Sequence, residues 1–95
     1  MTPRTVRGVI VCDLSPHGGE GTITSAGETY AWSVLARLRP GQAVHVMLGG
    51  ARYVSLRLLD IVQDGLQEAG PVQVSGSEPG AVDAVVSHLA QADVA

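Results

Sequence analysis

The chain has no lysine and no phenylalanine, a single cysteine, and no apolar run approaching the roughly 20 residues that span a bilayer. Each absence removes a class of protein. Without lysine, positive charge rests on six arginines at positions 4, 7, 37, 39, 52 and 57. They are scattered along the chain and the net charge is −3, so the clustered basic footprint of a nucleic-acid-binding protein is missing. Cys12 has no second cysteine to pair with, and inside an apolar run it is expected to be a buried, inert thiol. The opening segment leads into an apolar stretch of only five residues, Gly8 to Cys12, too short for a signal-peptide core. No membrane association and a cytoplasmic location are expected.

What is present suits one small globular domain. A chain of 95 residues that is 45% hydrophobic builds a single core over residues 1–95, with no linker or internal repeat. Gly8-Val9-Ile10-Val11-Cys12 is continuously apolar and β-branched and ends in Asp13, the pattern of a parallel strand covered on both faces. In Ala43 to Leu48, Val44, Val46 and Leu48 alternate with His45 and Met47, which suggests a strand near an edge. Val72-Gln73-Val74, preceded by Gly70-Pro71, predicts the other edge. Between and after the strands, three helices are predicted: Ser25 to Leu38, about Tyr53 to Ala69, and one beginning near Pro79 with Val82, Val85, Val86 and Leu89 on one side. Ser25 and Glu28 have capping-box spacing, so Ser25 is expected to cap the first helix, a contribution of about 1 kcal/mol. The resulting β-α-β-α-β-α order with right-handed crossovers predicts an α/β fold. A first strand apolar on both faces predicts a mainly parallel three-stranded sheet of order 2-1-3 between two helical layers, a small three-layer domain.

Ligands of open parallel sheets bind beyond the carboxyl ends of the strands, so the loops 13–24, 49–52 and 75–78 should converge on any site. The first holds Asp13, His17, Gly18 and Gly19 ahead of a helix N-terminus, and Arg52 lies in the second. These residues make a candidate anion- or nucleotide-binding site, or the acid-base pair of a small enzyme. The Walker and dinucleotide spacings are both missing, and no nucleophile motif surrounds Ser15 or Cys12. His17, His45 and His88 lack metal-ligand spacing, so no metal or cofactor is expected and a non-enzymatic role is favoured. Tyr30 and Trp32, two residues apart on a helix, cannot share a face. One of them should point outward as a candidate partner contact.

Three stretches, Val9-Ile10-Val11-Cys12-Asp13-Leu14-Ser15, Ile23-Thr24-Ser25-Ala26-Gly27 and Leu58-Leu59-Asp60-Ile61-Val62, resemble the STAS domain of anti-sigma-factor antagonists. They are similar to that family's strand ending in Asp-Leu-Ser, its Asp-Ser-x-Gly signature opening a helix (with Thr24 in the aspartate's place), and its leucine-rich helix. The resemblance implies a regulatory module that binds a protein partner, a kinase or a sigma-factor regulator, through Thr24, Ser25, Gly27 and Glu28. It also implies phosphorylation at Ser25 as the switch. The exposed edges of a small sheet further predict a homodimer or a heteromeric complex.

Overall fold

A computed structural model describes residues 4–6, 8–17 and 21–92. The described chain runs β1 (Arg4–Val6), β2 (Val9–Asp13), a 3-10 turn (Ser15–His17), α1 (Ser25–Leu35), β3 (Ala43–Met47), α2 (Leu56–Gly65), β4 (Val72–Ser75) and α3 (Pro79–Ala92). The predicted β-α-β-α-β-α core and its three parallel strands are present. The strands form one sheet in sequence order, β1-β2-β3-β4. β1, which the sequence did not suggest, pairs antiparallel with β2, placing Arg4 opposite Val11 and Val6 opposite Val9. β2, β3 and β4 pair in parallel, with Ile10, Val44 and Val72 in one row and Cys12, Val46 and Val74 in the next.

The expected 2-1-3 order is therefore wrong: the parallel strands lie 1-2-3, with β3 in the middle of them and β2 beside β1. This order also changes the layering. Right-handed crossovers that step the same way along a sheet place their helices on the same face. Ile10, Cys12, Val44 and Val46 accordingly share one core with Ala31, Val34, Leu35, Leu58, Val62 and Val85 from all three helices. The domain has two layers, not three. The other sheet face carries Val9, Val11 and Asp13 of β2, Ala43, His45 and Met47 of β3, and Gln73 and Ser75 of β4.

The physical reason for the error is visible in β2 and β3. Val11 is buried on the face away from the helices, in a strand paired on both sides, with β1 and with β3. A continuous apolar run thus marked a strand paired on both sides, not a second helical layer. In β3, Val44 and Val46 are buried while Ala43, His45 and Met47 are half-buried. That alternation records a one-sided sheet and not nearness to an edge. β4 is the edge strand, as expected.

The helices begin and end where local hydrogen bonding dictates. α1 stops three residues short of Leu38 because its last turn tightens to i→i+3 bonds, Arg37 N–H to Val34 C=O at 3.2 Å and Leu38 N–H to Leu35 C=O at 3.1 Å. α2 starts at Leu56, not Tyr53, because Ser55 is its cap, accepting the Leu58 N–H at 3.1 Å. Tyr53 is instead held in an extended bridge beside Thr22, its N–H on Gly21 C=O at 3.0 Å. α3 begins at Pro79 as predicted, but Val86 is 48% exposed and only Val85 of that valine pair reaches the core. α1 and α2 meet closely at Gly65, where an added Cβ would lie 2.6 Å from Leu35 Cβ. Among the described residues, no helix is long and apolar enough to cross a membrane.

Candidate functional site

The loops at the carboxyl ends of the strands converge, as the parallel topology requires. The second loop lies on the first: a Cβ at Gly49 (φ +62°) would sit 2.5 Å from Ser15 Cβ. The third is tied to the second by Ser77 N–H and Oγ donating to Gly49 C=O at 2.9 and 3.2 Å. Arg52 N–H donates to Gly21 C=O at 2.7 Å, and its guanidinium Nε lies 3.9 Å from Glu78 Oε1. Leu14, Ile23, Leu48 and Ala51 are buried beneath these loops and seal the core at this end.

Within that frame the candidate residues separate. Asp13 Oδ1 accepts the Ser15 N–H at 3.0 Å and the Ser15 hydroxyl at 2.5 Å, so the carboxylate closes the turn that follows β2. His17 stacks on Tyr30 with ring centroids 5.1 Å apart, and its C=O accepts the Thr24 N–H at 2.9 Å. Gly18 and Gly19 lie outside the described residues. Among the described residues, no three His, Cys, Asp or Glu side chains are grouped to hold a metal ion. His45 Nε2 and Ser75 Oγ are hydrogen-bonded at 2.8 Å on the helix-free sheet face, and His88 Nε2 lies 3.4 Å from Asp60 Oδ1 between α3 and α2. Cys12 is fully buried, and burial together with the neighbouring Asp13 charge pushes its thiol up to about 12.

The start of α1 is built differently from the expected capping box. Thr24, extended at φ −74° and ψ 168°, is the cap: its Oγ1 accepts the Gly27 N–H at 3.3 Å and its C=O accepts the Glu28 N–H at 3.0 Å. Ser25 is the first helical residue and is exposed. Glu28 cannot complete a box with it because its carboxylate is engaged elsewhere. Ser55 Oγ donates to Glu28 Oε2 at 2.6 Å, and Arg57 Nε lies 3.7 Å from Glu28 Oε1. One glutamate thereby ties the first turn of α1 to the first turn of α2. Gly27 is buried, and a Cβ there would come within 2.5 Å of Ile23 Cγ2 and 2.6 Å of His17 Cβ. Its role is close packing of the loop on the helix.

The aromatic pair divides as the helical spacing required. Tyr30 turns in onto His17, and Trp32 is 64% exposed. Trp32 stands beside a groove of about 640 Å³ along the α1–α2 seam, whose other wall carries Leu56 (67% exposed), Arg57, Asp60 and Asp64. The sequence reading missed Leu56 and this groove. Leu56 falls off the apolar stripe of α2, and its neighbour across the groove, Trp32, lies 24 positions earlier in the chain, so no local pattern announces it. Ser25, Glu28, Thr29 and Trp32 follow the i, i+3, i+4, i+7 spacing of one helical face. A smaller cleft lined by Glu28, Thr29, Trp32, Arg57 and Ile61 continues the groove toward the start of α1.

No family model matches the chain, and neither a curated protein nor a solved structure matches it.

Proposed function

We propose that the protein is a non-enzymatic interaction module in a regulatory pathway, of the kind that its likeness to anti-sigma-factor antagonists suggests, and that it docks a protein partner along α1. The observation that carries this reading is Trp32, a large aromatic held 64% exposed next to an equally exposed Leu56 across a groove. Tryptophan is the side chain most enriched at the energetic centres of protein interfaces. Exposing it on a stable helix has a hydrophobic cost that burial in a partner removes.

Ser25 supports a switch on the same face. It is exposed at the helix start and two turns, about 10 Å, from Trp32. A phosphate there adds up to two negative charges beside the docking residues, while the N-terminal helix dipole tolerates it in the free protein. Phosphorylation would then weaken the partner's binding without unfolding the module. The partner would be a regulatory kinase or a sigma-factor regulator.

The test is affinity capture from native extract with wild type, Ser25→Asp and Trp32→Ala as matched baits, bound proteins being identified by mass spectrometry. A kinase-like or sigma-regulating protein retained by wild type and lost from both variants supports the reading. Identical capture by all three baits overturns it. The second reading, an anion-binding or small catalytic site around Asp13, His17 and Arg52, draws on the convergence of the strand-end loops. It predicts that Arg52→Ala abolishes phosphate binding while leaving protein capture intact.

A further inference from the structure

The seam between α1 and α2 extends beyond the groove at Trp32. Both helices start at one end, where Ser55 Oγ donates to Glu28 Oε2, and both finish at the other, where Gly65 meets Leu35, so they run parallel. The smaller cleft at Glu28 and Thr29 shares Trp32, Arg57 and Ile61 with the main groove. A third cleft, of about 280 Å³, shares Leu35, Ala36, Asp64 and Gly65 with it and continues to Leu38 and Ala69. The three form one furrow. Its α2 wall is 10 residues of helix, about 15 Å, and the turn after Gly65 lengthens it, which suits roughly three to four turns of a docked helix.

The furrow is electrically polarised. At its starting end stand the N-termini of both helices and Arg57, whose charge is balanced by Glu28 at 3.7 Å. Toward the other end it is lined by Asp60 and Asp64, one helical turn apart on α2, and by Glu68 in the turn beyond, all three exposed. Asp60 Oδ1 faces His88 Nε2 at 3.4 Å, while Asp64 and Glu68 are in no ion pair among the described residues. Arg37 and Arg39, at the end of α1, line none of the three clefts. The C-terminal dipoles of α1 and α2 add to the negative potential there.

We infer that the furrow takes an amphipathic helix of the partner protein, running antiparallel to α1 and α2, with its apolar face on Trp32, Leu56 and Ile61 and basic residues one turn apart against Asp60, Asp64 and Glu68. The inference rests on the docking reading above and adds the chemistry of what docks. Apolar contact supplies affinity, and opposite charge supplies register and direction. The antiparallel direction sets the positive N-terminal end of the incoming helix against the three acids and its negative C-terminal end against the helix starts. It also gives Ser25 its sign as a switch. A phosphate there meets the C-terminal end of the docked helix, which it repels, and it stands about 15 Å from the level of Leu35, where the screening length of physiological salt separates it from the acids.

The test titrates the full chain with two synthetic peptides of about 14 residues, each held helical by a staple on its outer face and lacking tryptophan. Both carry a leucine stripe; beside it one has arginines and the other glutamates at i, i+4 and i+8. Trp32 is the chain's one tryptophan and reports docking directly. The arginine peptide should shift its emission to the blue and bind at least about tenfold more tightly than the glutamate peptide, a preference that shrinks as salt is added. Asp60→Asn combined with Asp64→Asn should weaken the arginine peptide about tenfold, with Asp64→Asn and Glu68→Gln replacing that pair if circular dichroism shows a loss of fold. With Ala36→Cys at the acidic end, a peptide with an N-terminal cysteine should cross-link under mild oxidation and one with a C-terminal cysteine should not. Cys12 is buried and contributes no background. No emission shift, equal binding of the two peptides, indifference to the aspartate variants, or cross-linking through the C-terminal cysteine would each overturn the inference. Trp32-dependent capture from extract that survives Asp60→Asn with Asp64→Asn overturns this inference alone, whereas capture indifferent to Trp32→Ala overturns the docking reading beneath it.

Discussion

The buried thiol of Cys12 makes the stability of this domain fall in alkali, by an amount the structure sets. Cys12 has no exposed surface, and its thiol is pushed from 9.0 to about 12, first by burial and then by the charge of Asp13. In the unfolded chain the same thiol ionises from pH 9 upward. Between the two values the unfolded state binds fewer protons than the native state, so stability declines with pH in that window. The contribution is fully present below pH 9 and is lost as pH rises toward 12. Each pH unit in that window corresponds to about 1.4 kcal/mol, or roughly 4 kcal/mol across the whole interval. Urea unfolding under reducing conditions at pH 7, 9.5 and 10.5 would measure it, with Cys12→Ala as the reference. The variant is less stable at neutral pH because of its cavity, but it keeps every other titrating group. Wild type should therefore lose about 2 kcal/mol more than the variant between pH 7 and 10.5. Parallel pH profiles for the two proteins would refute the assignment of Cys12 as a desolvated thiol.

Further outcomes follow from the packing around α1. An alanine in place of glycine inside a helix ordinarily gains close to 1 kcal/mol, but Gly27→Ala should lose about 2 kcal/mol by thermal denaturation, because its Cβ lands on Ile23 and His17. Glu28→Ala should lose about 1–2 kcal/mol by the same measurement, since it removes the acceptor of Ser55 Oγ and the partner of Arg57. Glu28→Gln should recover part of that loss, because it keeps an acceptor for the hydroxyl. Trp32→Ala should change stability by no more than about 0.5 kcal/mol in denaturant melts, while removing partner capture.

Element type was legible in the chain because periodicity is local. The three parallel strands and the start of α3 at Pro79 follow from short stretches of sequence that carry their own signals. Lateral order was not legible, because Val9–Asp13 and Ala43–Met47 show only how much of each strand is shielded and not by what. Helix ends depended on small competitions. Thr24 outcompeted Ser25 for the cap once Glu28 was drawn to Ser55, a residue 27 positions away. The candidate site was legible in the same partial way. Spacing alone separated Tyr30 from Trp32, but which of them faced out was decided by His17. Leu56 became part of a groove only when α1 was laid beside it. The convergence of the strand-end loops followed from parallel topology and needed no side-chain information.

The sheet's order carries a kinetic consequence. Because β1, β2, β3 and β4 lie side by side in chain order, no pairing has to wait for a later strand, although each parallel pairing spans a whole crossover, 34 positions from Val9 to Ala43 and 28 from Val44 to Val72. A nascent chain can add each strand to the one before it as synthesis proceeds, without waiting for its far end. The last unit, β4 with α3, is held by neighbours on one side only, so it should be the first to open in native-state hydrogen exchange and the last to close during refolding.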